Sequence, residues 1–438
     1  MVCIEVVHTI ILYFVLHSIE VYRMKFFWIG SAYELAIDNV MKELTTEQIN
    51  QMDYVELRDY VLASNIDYFG KNWCEALSAL GYETEYSLFQ SDILLKKWCN
   101  EHEKDVSYAD REDIIFTQIK RYQADIVYVD DCVSVDLCKK IKHEIKSVKM
   151  IIAWAGSAMA LSESHAELYK FVDLVMCCAP EGVAYLKQQG ANALHMNHAF
   201  FSNYTPLEQT TNIQKVATFI GSICRGKNYH FKREDILIKV KNEFPVNIYS
   251  PSVEFLTPKY IVKFFLKFSM HECLQYLPFQ LKNGVFQKYK SLESINEYKP
   301  IFPVSSGLIR HLRKPVFGND MLNTLCKSYV VLNIHADSSP IYASNMRLFE
   351  STGVGTCLLT DYKKNIEDLF EPGKEILTYK TVDECIEKMK YIRDHPNIRD
   401  SIAAAGYKRC MKDHNYNVRA EKLAEYIRKK HSCVQTTL

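Results

Sequence analysis

Short runs of consecutive apolar residues, each followed by small or polar residues, recur along the first half of the chain. They lie at 26–29, 126–129, 150–154 and 174–176. Strands buried on both faces of a parallel sheet have this pattern, because no face of such a strand meets water. Helical spacing of apolar residues separates the runs, as at 73–80. The alternation predicts a doubly wound α/β sheet with right-handed crossovers.

The same pattern restarts after a polar segment at 202–214, which contains a proline and is the predicted interdomain linker. The later runs lie at 216–220, 247–249, 330–334 and 356–359. We therefore expect an α/β protein with two facing Rossmann-like domains, 24–205 and 214–412, and a cleft between them. Residues 413–438 are expected to form a helix that crosses back to the first domain. Ligands of such sheets bind outside the carboxyl ends of the strands.

Residues 1–23 form an N-terminal extension whose apolar stretch, 9–16, is too short to span a bilayer. It has neither the basic start nor the cleavage site of a secretory signal. Two interpretations stay open: an upstream segment from a mis-assigned start, or a weak helix at a membrane surface.

The second domain has a predicted basic insertion at about 251–315. Residues 251–318 contain ten Lys or Arg and four Asp or Glu. Lys259, Lys263, Lys267 and His271 follow one another at a spacing of four, with apolar residues between them, which on a helix gives a basic stripe beside an apolar face. Segment 259–271 is either a core-packed helix with solvated lysines or a peripheral contact with anionic membrane or a lipid-linked acceptor.

Composition narrows the class of protein. The 438 residues include 53 Lys or Arg and 53 Asp or Glu, so no global charge favours nucleic acid. Fourteen cysteines without any C-x-x-C pair indicate reduced thiols and a cytoplasmic location, and the membrane alternative for segment 259–271 would place the protein at the inner face of the membrane. We expect no metal site, because the paired ligands of zinc sites are missing and the H-x-x-H of His195 and His198 is more often structural.

The segment 330–361, VVLNIHADSSPIYASNMRLFESTGVGTCLLTD, contains the main candidate binding residues. A strand delivers Asn333 and His335 to its carboxyl end, and a helix is expected from Tyr342 to Thr352. The N-terminal amides of that helix would attract an anion, and Asn345 and Arg347 lie in its first turns. The carboxylate of Glu350 could reach two ribose hydroxyls. The pattern indicates a site for a nucleoside diphosphate.

A basic loop follows the first strand of the second domain. Arg225, His230 and Arg233 lie in it, at a carboxyl end that faces the predicted cleft. Arginine binds phosphate in a bidentate manner. The loop is either a phosphate clamp or an ordinary solvated basic loop.

These segments together resemble a known family. FIGS with His230 and Arg233, LNIH, NMRLFESTGVG, LLTD, LFEPGKE and IAAAGYKR are similar to the spore-maturation (CgeB-like) glycosyltransferases, which have the GT-B fold of two facing Rossmann-like domains. The resemblance is strongest over 316–425, and it weakens toward the N-terminus.

The resemblance implies transfer of a sugar from a nucleotide-diphosphate donor to an acceptor that is a glycan, a lipid-linked sugar or a protein, without a metal and without a cofactor besides the donor. It implies that Glu350 binds ribose, that Asn345 and Arg347 line the diphosphate or sugar pocket, and that Arg233 and His230 assist. Related retaining enzymes often have a glutamate eight positions before Glu350, where this chain has Tyr342. An inverting enzyme needs a base near the acceptor, for which we single out Asp130, Asp131 and His198. The alternative is a non-catalytic sugar- or partner-binding protein on the same scaffold.

Overall fold

The structure is a computed structural model of the chain. It describes residues 23–102, 110–130, 132–156, 163–204, 215–223, 225, 230, 232–278, 281, 295–297 and 299–435. The predicted extension up to residue 22, the core of the predicted linker at 205–214, and Asp131 lie outside the described residues.

The first sheet has six strands, all parallel, in the order β2-β1-β3-β4-β5-β6. Their bounds are β1 Lys25–Gly30, β2 Glu83–Leu88, β3 Ile126–Val129, β4 Met150–Ala155, β5 Leu174–Cys177 and β6 Ala193–His195. The helices around them are α1 Glu34–Met41, α2 Thr46–Gln51, α3 Tyr54–Ala63, α4 Tyr68–Ala79, α5 Asp92–His102, α6 Arg111–Tyr122, α7 Val135–Glu144, α8 Ala166–Phe171 and α9 Pro180–Gln188. The chain changes direction across the sheet between β1 and β3, which makes that pair the switch point.

The second sheet is also six-stranded and parallel, in the order β12-β11-β10-β7-β8-β9, with its switch point between β7 and β10. Its strands are β7 Ala217–Ile220, β8 Val246–Tyr249, β9 Leu312–Arg313, β10 Val330–Asn333, β11 Leu358–Asp361 and β12 Leu377–Tyr379. Its helices are α10 Lys232–Glu243, α11 Pro258–Tyr276, α12 Gly318–Cys326, α13 Arg347–Gly353, α14 Ile366–Leu369, α15 Val382–Asp394 and α16 Pro396–Asp413. Two parallel sheets with surrounding helices confirm the predicted α/β fold.

The core of the first domain is aromatic. Trp28 on β1 stacks on Tyr128 of the neighbouring β3 with ring centroids 3.6 Å apart, and Trp73 of α4 stacks on the other side at 5.8 Å. Trp28 and Trp73 are at most 1% exposed. Burial of such large side chains is the main stabilising term of the domain.

The last helix, α17 Tyr416–Gln435, packs on the first domain although it follows the second domain in sequence. The amide of Tyr416 donates to the carbonyl of Phe200 at 3.1 Å, and Phe200 donates to the carbonyl of His414 at 2.9 Å. The Nζ of Lys422 donates to the carbonyl of His195 at 2.9 Å. The chain therefore passes between the two domains at this point, where strand-like bonds join the segments around 200 and 415.

Candidate functional site

Strands β7 and β10 lie side by side at the switch point of the second sheet, and the residues after them form its carboxyl edge. Arg233, in the first turn of α10, joins the two strand ends. Its Nε and Nη2 donate to the carbonyl of Ile334 at 3.1 and 2.8 Å, and its Nη1 donates to the carbonyl of Ser222 at 3.0 Å. Arg233 is only 8% exposed. Its donors hold the strand ends in place, and a part for Arg233 in donor binding stays a prediction.

Arg225 and His230, the other predicted residues of the basic loop, differ in their environments. Arg225 is exposed, and its Nε pairs with Glu234 at 2.9 Å. His230 is partly exposed at the end of the loop. Residues 226–229, between Arg225 and His230, all lie outside the described part of the chain, so the loop as a phosphate clamp stays a prediction for these two residues.

A chain of side-chain amides links the end of β10 to its neighbours. Asn333 is buried, and its Nδ2 donates to the Oγ1 of Thr360 on β11 at 2.9 Å. Asn345 in turn donates to the Oδ1 of Asn333 at 3.0 Å and to the carbonyl of Ile334 at 3.3 Å. Both predicted residues thus fix the position of the loop after β10.

His335 is held by a carboxylate at the end of the next strand. Its amide and its Nδ1 lie 2.9 and 2.7 Å from the Oδ1 of Asp361, and Lys363 pairs with the other oxygen at 3.4 Å. Desolvation would raise the pKa of Asp361, but the charges and hydrogen bonds of His335 and Lys363 outweigh it and hold that pKa below its ordinary value. Lys363 also donates to the carbonyls of Ser339 and Pro340 at 3.2 and 3.0 Å.

The helix predicted from Tyr342 to Thr352 is shorter than expected. It starts at Arg347, and residues 338–346 form turns and irregular backbone. The side chain of Asn365 explains the difference, because it accepts from the amide of Ala343 at 2.6 Å and donates to the carbonyl of the same residue at 3.1 Å. Those backbone groups would otherwise serve a helical turn.

Glu350 does not present an open carboxylate. It is 3% exposed, it forms an ion pair with Arg347 one turn earlier, and it accepts a hydrogen bond from the hydroxyl of Tyr68 in the first domain. Arg347 also approaches the Sδ of Met321 at 3.3 Å. In this arrangement of the domains, Tyr68 and Arg347 occupy the carboxylate of Glu350, and the ribose contact stays a prediction.

The predicted bases of the first domain differ from one another. Asp130 follows β3 at the switch point of the first sheet, is partly exposed, and accepts a hydrogen bond from the hydroxyl of Ser31 after β1. His198 packs against the rings of Trp154 and Phe69, at centroid distances of 4.9 and 6.2 Å. Desolvation, with a contribution from the charge of Arg419, lowers the pKa of His198 to about 3. Such an imidazole is a weak base, which argues against His198 as the base, and its role stays a prediction.

Five buried polar atoms in the segment after β10 have no hydrogen-bond partner among the described residues. They are the Nε2 of His335, the Oγ of Ser344, the Nε of Arg347, the Oε2 of Glu350 and the Oγ of Ser351, although the Oε2 of Glu350 takes part in the ion pair with Arg347. Buried polar atoms are normally paired, and exceptions call for an explanation such as an absent ligand. The described part of the chain has no group of His, Cys, Asp and Glu side chains that could hold a metal ion.

Sequence reasoning missed the residues that join the two domains. Glu181, at the start of α9, accepts from the amides of Ile341 and Tyr342 at 3.1 and 2.9 Å. Tyr68 and Asp361 were missed as well. Asp361 could have been identified from the sequence, because it follows a predicted strand. Glu181 and Tyr68 could not, because each lies more than 150 residues away in sequence from the groups that it contacts.

Two facing doubly wound sheets with polar groups at the carboxyl edge define the GT-B class of fold. The family model described as Glycosyl transferase-like matches residues 297–425, a range that includes strands β9 to β12 and helices α12 to α16. This domain is therefore glycosyl transferase-like, in agreement with the predicted class of enzyme. None of the curated proteins matches the chain in sequence.

Solved structures agree in fold. A sucrose-phosphate synthase from Thermosynechococcus elongatus superimposes with a TM-score of 0.51 at 10% identity, covering 94% of this chain and all of that one. Anabaena HepE in complex with UDP and glucose gives 0.49 at 12% identity, covering 93% and 100%. A glycosyltransferase from Rickettsia africae gives 0.49 at 10% identity, covering 93% and 98%. At these identities, the likeness concerns the fold.

Proposed function

We propose that the protein transfers a sugar from a nucleotide-diphosphate donor bound at the carboxyl edge of the second sheet, in the manner of the CgeB-like transferases that its sequence resembles. The unpaired polar atoms of His335, Ser344 and Arg347 are the main observation in support, because a donor would supply their partners. HepE, which has the same fold, is described in complex with UDP-glucose. No metal is required in this proposal, since cationic and amide groups would neutralise the leaving diphosphate.

Thermal unfolding in the presence of nucleoside diphosphates tests the donor site. A ligand that binds the folded state stabilises it by mass action, by about 2.7 kcal/mol at a hundredfold excess over Kd. We expect one of the uridine, guanosine, adenosine, cytidine or thymidine diphosphates to raise Tm. Ser344→Ala should weaken that binding roughly tenfold, since its hydroxyl would lose a polar ligand contact.

Ser147→Ala is the matched control for Ser344→Ala. The Oγ of Ser147 is also buried without a described partner, but it precedes β4 and lies at the amino end of the first sheet. It should leave the shift in Tm unchanged. If no diphosphate or sugar nucleotide raises Tm, the donor site is refuted. If a sugar nucleotide binds but its sugar is never transferred or released, the chain is a binding protein.

We further propose Asp130 as the base of an inverting transfer. Its carboxylate would take the proton of the acceptor hydroxyl while that oxygen bonds to the anomeric carbon and the bond from that carbon to the diphosphate oxygen breaks. Its position at the switch point of the first sheet supports this role, because ligands of doubly wound sheets bind outside the carboxyl ends of the strands at that point. Asp131, its neighbour in sequence, remains a candidate outside the described residues.

Asp130→Asn tests the assignment of the base. We expect kcat to fall at least a hundredfold with little change in the KM for the donor, because general base catalysis typically contributes 10²- to 10⁴-fold. Asp136→Asn, at a carboxylate whose side chain is 91% exposed on α7, is the control and should keep full activity. Near-normal kcat in Asp130→Asn would refute the assignment.

The acceptor side of the proposal concerns α11, the helix that contains segment 259–271. Only His271 and Leu274 of this helix are buried, whereas Val262, Phe265 and Leu266 are 58 to 60% exposed. The prediction of a core-packed helix is thus wrong for most of its apolar residues. Its inner side is held by ring contacts, with Phe264 and Phe302 centroids 5.1 Å apart.

Exposed lysines accompany these apolar residues. Lys259, Lys263 and Lys267 are exposed along the helix, and 259–271 contains no acidic residue. An apolar face beside a row of cations complements an anionic lipid surface, where each lysine contributes about 1 kcal/mol. We propose that α11 docks the protein on the inner face of the membrane, where it would meet a carbohydrate or lipid-linked acceptor. No described helix is long and apolar enough to cross a membrane.

Vesicle flotation tests this docking. We expect binding to phosphatidylglycerol-containing vesicles that salt weakens, little binding to phosphatidylcholine alone, and loss of binding in Lys263→Glu/Lys267→Glu. The control is Lys146→Glu/Lys170→Glu, which makes the same charge change at exposed positions of the first domain. Binding that ignores both lipid charge and the α11 variant would refute the proposal.

A further inference from the structure

The loop that follows β10 is bound by a carboxylate from the opposite domain. One oxygen of Glu181 accepts from the amides of Ile341 and Tyr342 at 3.1 and 2.9 Å, and the other accepts from the hydroxyl of Ser339 at 3.4 Å. Adjacent amides that converge on one oxygen form the kind of backbone cradle that binds anions. In this structure the anion is a side chain of the protein itself.

A second group of the donor side is bound in the same way. The buried carboxylate of Glu350 accepts from the hydroxyl of Tyr68, which comes from α4 of the first domain. Burial raises the pKa of Tyr68 well above its ordinary value, and the charge of Glu350 adds to that, so the hydroxyl keeps its proton and acts as a donor. Tyr68 is itself 6% exposed and stacks on Phe201 at 5.2 Å.

Both contacts bind the part of the chain where the donor site is proposed. Ile341, Tyr342 and Glu350 lie on the same loop and helix as the unpaired atoms of Ser344 and Arg347. A diphosphate would accept from the amides that Glu181 now holds, and a ribose would need the carboxylate that Tyr68 now covers. The first domain thus occupies groups that the donor requires.

We propose that Glu181 and Tyr68 form an autoinhibitory contact that closes the empty donor site and that the nucleoside diphosphate displaces. The inference rests on the proposed function. If only a fraction of the molecules can bind the ligand, the apparent Kd equals the intrinsic Kd divided by that fraction. Weakening either contact therefore raises the affinity for the donor. Substitution of a residue that binds the donor would lower that affinity instead.

Hydrogen exchange measures the contact without any donor. In Glu181→Gln the amides of Ile341 and Tyr342 lose a charged acceptor, and we expect them to exchange roughly tenfold faster. The matched control is Glu167→Gln, the same substitution at an exposed position in the first turn of α8. Unchanged exchange at 341 and 342 in Glu181→Gln would show that the contact does not form in solution and would overturn the proposal.

Nucleoside diphosphate titration measures the consequence. Glu181→Gln and Tyr68→Phe should each bind the diphosphate several-fold more tightly than the wild type, and the double variant more tightly still. Tyr60→Phe is the control for Tyr68→Phe, since its hydroxyl lies 3.2 Å from Glu43 within one domain. It should bind like the wild type.

The outcomes separate the two proposals. If the wild type binds a diphosphate and Glu181→Gln or Tyr68→Phe binds it equally or more weakly, the autoinhibitory contact is refuted while the donor site stands. If neither the wild type nor the double variant binds any diphosphate, the proposed function itself fails, and the displacement fails with it. Faster exchange together with tighter binding supports both.

Discussion

The carboxyl edges of the two sheets differ in chemistry although their strand orders are similar. In the second domain, charged and amide side chains tie neighbouring strand ends together, as Arg233 does for β7 and β10 and Asp361 does for the residue after β10. In the first domain, aromatic rings pack in the corresponding region, and His198 contacts two of them. Asp130 and Ser31 form a hydrogen bond between charged and polar side chains there.

The difference indicates that the two edges suit different ligands. Fixed polar groups stabilise charge without reorganising, so the second edge suits a charged diphosphate. The first edge offers apolar surface and the carboxylate of Asp130 at its switch point, which suits an acceptor hydroxyl better than a polyanion. If this view is right, charge changes should be costly in the second domain, and the titration of His198 in the first domain should be governed mainly by its burial.

The largest expected effect is the loss of the guanidinium at the second edge. Arg233→Ala leaves the carbonyls of Ile334 and Ser222 without their donors in a buried position, and we expect it to lower the free energy of unfolding by about 3 kcal/mol or more. Urea unfolding measures it. Arg393→Ala, at a more exposed guanidinium that pairs with the neighbouring Asp394, should cost less than about 1 kcal/mol. Equal costs for both variants would contradict the structural role of Arg233.

Sequence reasoning identified the inner strands of both sheets and missed the edge strands. All eight inner strands, β1, β3, β4, β5, β7, β8, β10 and β11, were predicted, and the four that were missed, β2, β6, β9 and β12, are the edges. Most inner strands are buried on both faces and stand out as apolar runs. The edge strands are short or mixed in polarity, such as ETEYSL and LR, because one side has no neighbour.

The candidate site was only partly predictable for a different reason. The segment around Asn333, His335 and Asn345 was identified because it follows a strand, and the strand's carboxyl end determines where its residues lie. The partners of those residues were not. Whether Glu350 is open or covered depends on Tyr68, 282 positions away in sequence. Only the relative position of the two domains brings them together, and no local pattern encodes it.

An intermediate effect is expected from the carboxylate at the second edge. Asp361→Asn removes the charged acceptor of His335 and should lower the free energy of unfolding by about 2 kcal/mol at pH 7. Because the pKa of Asp361 is lower in the folded than in the unfolded protein, its stabilisation is present above about pH 4 and is lost as the pH falls further. The difference between wild type and variant should therefore shrink below pH 4. Asp383→Asn, in the first turn of α15, is the control. A difference that is constant down to pH 2 would contradict the prediction.

The smallest effect concerns His198 at the first edge. Its pKa is about 3 in the folded protein and near 6.5 in the unfolded one, so the unfolded state binds more protons between these values. Stability must then fall as the pH decreases from 7 toward 3, by roughly 1.4 kcal/mol per unit for one proton.

His198→Phe keeps a ring against Trp154 and Phe69 but removes this titration. Urea unfolding at pH 7 and pH 5.5 should show a drop in stability that is about 1 kcal/mol smaller in the variant than in the wild type. A residual drop is expected in both proteins, because burial also lowers the pKa of His414, to about 4. An unchanged pH dependence in His198→Phe would mean that His198 meets water, that the aromatic description of the first edge is wrong, and that His198 would again be a candidate base.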